Sequence, residues 1–179
     1  MLGTVLAIFW IAFLATWLTG GALLSLGVIP RTAIGLRGIF FAPFLHGSVS
    51  HIAANTIPFL VLGWLVMLRD PRHFLTVTFA AMIGSGTMAW LLGAPGSVHI
   101  GASGLIFGYV GFLMLSGWYA RSPVSILLSI LVTVLWGGLL LGVMPGQAGI
   151  SWQAHLGEFL GGVLAARAYR STPELSTVP

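Results

Sequence analysis

The tetrapeptide Gly101-Ala102-Ser103-Gly104 sets one hydroxyl in a glycine frame, where a Gly/Pro-rich connection gives way to an apolar run. At such a junction the first N–H groups of a helix have no intrahelical acceptor and a substrate backbone can come close. That combination can build an oxyanion site. A serine hydroxyl attacks well only when a base takes its proton, and His155, near the start of a different apolar run, is the natural partner. His51 and Asn55 are four residues apart, about 400° around a helix, so they share a face and can point at one object. His46 precedes His51 by five residues and would stand about 140° away, which argues against a two-histidine metal site. Plain readings stay open for each part: Ser103 as a small packing residue, His51 and Asn55 as hydrogen-bonding glue between helices. Gly104 and Gly108 form a small-xxx-small pair that allows another helix close to Ser103.

The elements that must carry these groups follow from composition. The chain of 179 residues is 58% hydrophobic and 6% charged, whereas a soluble domain carries about 25% charge. It therefore belongs in a bilayer. Six spans of about 20 residues leave about 60 positions for connections and tails, too few for a folded extramembrane domain. The apolar runs predict helices over 3–27, 50–68, 74–92, 103–119, 124–143 and 152–169, with Pro58 as a tolerated kink in the second. A cleaved signal peptide is the alternative for the first run. The expected fold is an all-α membrane protein, a polytopic bundle of six transmembrane helices in one domain over 1–170, with a short polar tail, 171–179, expected to be disordered.

An even number of spans puts both termini on one side together with Arg69, Arg72, Arg121, Arg167 and Arg170, against Arg31 and Arg37 on the other. The arginine bias places the termini in the cytoplasm and the Ser103 end of the bundle toward the outside. Because the net charge of +4 comes from arginines that flank apolar runs, it orients the chain in a membrane and does not indicate a nucleic-acid partner. Absent cysteine excludes thiol and thiolate-metal chemistry. No His-Glu-x-x-His segment is present, and the single aspartate, Asp70, sits between Arg69 and Pro71 in a connection, so zinc and aspartyl proteolysis are excluded. No metal or other cofactor is implied. Polar residues confined to one half of the bundle do not make the path a transporter or channel needs.

Three separated motifs, His46-Gly-Ser-Val-Ser-His51-Ile-Ala-Ala-Asn55, Gly101-Ala-Ser103-Gly104 and Ala154-His155-Leu-Gly157, stand in the order found in the rhomboid family of intramembrane serine proteases, which the chain resembles. The resemblance covers the second to sixth runs. It implies a six-helix protease of the cell membrane that uses a Ser-His dyad without a cofactor and cuts single-pass transmembrane proteins. Ser103 would be the nucleophile and His155 the general base, with Asn55, His51 and the Ser103 N–H stabilising the oxyanion. Gly101 would let the backbone pass the scissile peptide, and His46 would hold the loop before the second run. Phe107 stands where relatives often have a tyrosine that packs on the catalytic imidazole. Glu158 replaces a glycine or alanine at a helix contact; it must be protonated, reach a polar partner or point elsewhere, and could orient His155. Leu36-Arg37 replaces a Trp-Arg pair. His99 is expected to face water in its loop. The rival function is a catalytically silent relative that binds transmembrane helices. Oligomeric state is not legible.

Overall fold

The computed structural model describes residues 1–69, 71–147 and 149–169. Helix α1 spans Leu2–Leu18, and a stretch of short turns follows, including a four-residue helix α2, Gly38–Phe41. The remaining long helices are α3 (Val49–Arg69), α4 (Pro71–Leu92), α5 (Ser103–Ala120), α6 (Pro123–Trp136) and α7 (Trp152–Tyr169). Among the described residues there is no strand. A single antiparallel bridge pairs Val28 with His99 and ties the first long connection to the loop before α5.

Among the described residues six long helices are present, as expected, but four segments meet the length and hydropathy of a span on their own: Val49–Arg69, Pro71–Leu92, Ser103–Ala120 and Pro123–Val143. The first helix has 17 residues. It stops at Leu18, short of the expected 27, because Gly20 and Gly21 take φ of 59° and 88°, which ends a right-handed helix. The last helix is diluted by Gln153, His155, Glu158 and Arg167. The expected fifth helix is broken in two, turning into a 3-10 segment, Gly137–Val143, at a Gly-Gly pair. Pro71 opens α4 directly after the charged connection, where its missing N–H costs nothing. The tail 171–179 lies outside the described residues.

Apolar side chains cover the outside of the bundle. Ile57 and Trp64 on α3, Phe79 on α4, Trp118 on α5 and Leu127 and Val134 on α6 are all exposed. Such a surface is at ease against lipid and not against water, so the chain is a multi-pass membrane protein. Helix α5 forms the axis, in contact with α3, α4, α6 and α7. Tyr109, Phe59, Phe74 and Phe112 fill the core around it, and the buried Tyr109 hydroxyl is satisfied by Thr78 at 2.8 Å.

Glycines set how closely α4, α5 and α7 approach. A Cβ on Gly157 would lie 2.1 Å from the Gly84 carbonyl oxygen, and one on Gly162 would lie 1.9 Å from that of Gly108. Backbones therefore touch at these crossings, and dispersion contacts between main chains replace the side-chain packing of a soluble core. At the opposite end of the bundle from Ser103, the Arg69 guanidinium donates to the hydroxyls of Ser116 and Ser125 and so clamps α3, α5 and α6.

Candidate active site

The N-terminal ends of α3, α5 and α7 lie at one end of the bundle, so residues far apart in sequence share one depth. Ser103 is the first residue of α5, and its N–H therefore has no acceptor within the helix. His155 lies in the first turn of α7, and its Nε2 stands 3.1 Å from Ser103 Oγ. The other ring nitrogen, Nδ1, is 3.0 Å from the Gly142 carbonyl oxygen. A carbonyl can only accept, so Nδ1 carries the proton and the neutral ring presents its Nε2 lone pair to the Ser103 O–H. The Phe107 ring lies on the imidazole with centroids 4.0 Å apart and planes 12° from parallel. Histidine tautomer and ring plane are thus both set by surroundings.

Gly101 has φ of +120° and leaves a gap that a side chain would close: a Cβ there would stand 2.7 Å from His51 Nε2 and 3.5 Å from Ser103 Oγ. His51 and the nucleophile candidate therefore face one small space. Asn55 follows His51 by one turn on the same face of α3, is 8% exposed, and its Nδ2 donates to no protein atom. A buried amide with unused donors is costly unless something else accepts from it.

His46 is fully buried and holds the loop from behind, its Nε2 accepting from the Ala102 N–H at 3.3 Å. Burial, with the nearby charge of His51, pushes its pKa down to about 4, so the ring stays the neutral acceptor that this bond needs. Rather than only the loop before α3, it props the backbone next to Ser103.

A match to the Rhomboid domain model covers residues 33–172, which includes every residue of this site. The chain belongs to the rhomboid family. An uncharacterized protein of Mycobacterium tuberculosis is 42% identical over 171 residues, covering 91% of this chain and 71% of that protein. Rhomboid-like protease 5 of Toxoplasma gondii is 30% identical over 151 residues, 78% of this chain and 17% of that one. RHOMBOID-like protein 1 of Arabidopsis thaliana is 27% identical over 144 residues, 76% and 35% respectively.

One feature of this rhomboid departs from the sequence reading, and two others complete it. His99 does not face water: it is 8% exposed, with Nδ1 2.7 Å from Ser151 Oγ and Nε2 2.9 Å from Ser97 Oγ. It joins the loop before α5 to the loop before α7, the two segments that deliver Ser103 and His155. Glu158 does not reach His155, whose Nδ1 is taken by Gly142; it turns to α4, where Ser85 Oγ donates to its Oε1 at 2.8 Å. The Gly142 carbonyl carries no sequence signal of its own, since any residue type supplies a carbonyl. The trace it leaves is the glycine, because a Cβ at 142 would stand 2.9 Å from Phe107 Cζ and 3.2 Å from His155 Nδ1.

Proposed function

We propose that this rhomboid is an intramembrane serine endopeptidase that hydrolyses a peptide bond in or beside the span of a single-pass membrane protein. The observation that carries the reading is the 3.1 Å contact between Ser103 Oγ and an imidazole whose far nitrogen is committed to a carbonyl. His155 Nε2 takes the hydroxyl proton as Oγ attacks the scissile carbonyl carbon, and later gives that proton to the departing amine nitrogen. The acyl-enzyme ester is then opened by a water that His155 deprotonates in the same way. Gly142 does the orienting that a carboxylate does in a triad, favouring the tautomer with Nε2 free. Negative charge on the former carbonyl oxygen is met by the Ser103 N–H, the Asn55 amide and a His51 ring N–H. The N-termini of α3, α5 and α7 add their positive dipole ends.

A substrate helix keeps its carbonyls bonded internally and must unwind locally before Ser103 can attack. Entry beside α6 suits the packing: that helix buries only Ser125, Ser129 and Val132, and it breaks at Gly137. The loop before α7 would act as the lid. In the cell membrane the termini would face the cytoplasm and the cleft the outside.

The test is cleavage of a model single-span substrate by the purified protein in detergent. Cutting by wild type but not by Ser103→Ala supports the reading; binding without cutting would favour the silent relative. In the same assay Asn55→Ala is expected to lower kcat on the order of 10²- to 10³-fold with KM little changed, because its amide meets charge only in the transition state. A rise in KM alone would remove Asn55 from the oxyanion site.

A further inference from the structure

We infer that Glu158 is a buried neutral acid that, through Ser85, positions the His155 turn of α7 against α4. The inference rests on the protease reading for its kinetic consequence, but not for the state of the carboxyl. Glu158 is 0% exposed, and among the described residues no arginine pairs with it, in a chain without lysine. An isolated carboxylate in such a place is far costlier than the acid. Ser85 donates to Oε1, which makes Oε1 the carbonyl oxygen and leaves Oε2, without a protein partner, to carry the proton.

The surroundings accommodate a neutral group. From α5, Gly104 makes room, a Cβ there lying 3.1 Å from Oε1. Beside it, a cavity of about 20 Å³ is lined by Ser85, Ser103, Glu158, His99 and Ser151, enough for roughly one water. Ser85 of α4 bonds the carboxyl; α5 adds Ser103, and the two loops His99 and Ser151, to the cavity lining, and on its own helix the nearest titratable group is His155. None is a fixed cation.

The positional consequence follows from helix geometry. Glu158 lies three residues after His155, so a bond from this turn to α4 resists rotation of α7, the motion that would carry the imidazole off Ser103. Deprotonation would place an unpaired charge at the α4–α7 contact and loosen it, so turnover is expected to fall at alkaline pH sooner in wild type than in Glu158→Gln.

Infrared spectroscopy in a maltoside detergent, which has no carbonyl, tests the protonation directly, because the chain has only three acidic side chains. A protonated-carboxyl C=O band is expected at neutral pH in wild type and absent in Glu158→Gln; no band, or a band that survives the substitution, overturns the inference. Glu158→Gln, whose amide oxygen can still accept from Ser85, should retain kcat within about threefold. Glu158→Leu, of similar size without that acceptor, should lose on the order of 10²-fold in kcat at unchanged KM. A glutamine variant as slow as the leucine variant overturns the positioning role. If wild type cuts no substrate the protease reading fails, while the infrared band still decides the state of Glu158.

Discussion

His155→Ala is expected to cut turnover on the order of 10⁴-fold or more while leaving the fold intact. The imidazole is 8% exposed and bonded to Ser103 and Gly142, so its loss removes the only base in contact with the hydroxyl among the described residues. Ser103 Oγ would then have to attack as a neutral alcohol. Glu158 cannot take over, because its bonded oxygen points to Ser85 on α4. The effect should not add to that of Ser103→Ala: the double variant should be no slower than either single one, since two groups acting in one proton transfer fail together. Steady-state cleavage by the three variants, with thermal melting as a control for folding, checks this. Additive losses would mean that the two residues act in separate steps.

Gly162→Ala should be nearly as damaging for a different reason. The added Cβ would stand 1.9 Å from the Gly108 carbonyl oxygen and 2.9 Å from the Phe112 nitrogen, all backbone that no rotamer change can move away. Helices α5 and α7 must part by more than an ångström, and Ser103 and His155 ride on those helices, one each. Overpacking of this kind costs about 3 kcal/mol or more, and a misplacement of about 1 Å at the dyad removes roughly another 10² in rate. Gly138→Ala is the matched control, because nothing lies within 4 Å of its Cβ position, and it should shift stability by no more than about 0.5 kcal/mol. Melting and cleavage of the two variants side by side test the claim; equal behaviour would show that the helix crossing is not tight.

How far these positions could be read from the chain differs by kind of interaction. Ser103, His155, His51 and Asn55 were legible because polar groups in an apolar chain are few and their spacing is helical. Helices α3, α4, α5 and α7 begin and end within a few residues of the hydropathy runs, since length in a bilayer is a strong constraint. Gly20 and Gly21 do not stand out against the long first run, because glycine is common inside membrane helices and only their left-handed φ shows that they end this one. The fifth run kept its hydropathy through Gly137 while its hydrogen bonding changed, and hydropathy is blind to that change. Partners set by tertiary contact were the least legible: Gly142 for His155, Ser85 for Glu158, and Ser151 for His99 are 13, 73 and 52 residues away along the chain.

The most direct measurement is labelling with a fluorophosphonate, which bonds only to an activated serine. Wild-type protein in detergent is expected to carry the label on Ser103, identified by peptide mass, with none on Ser103→Ala and very little on His155→Ala. Equal labelling of all three, or a label on another serine, would contradict the pairing of Ser103 with His155.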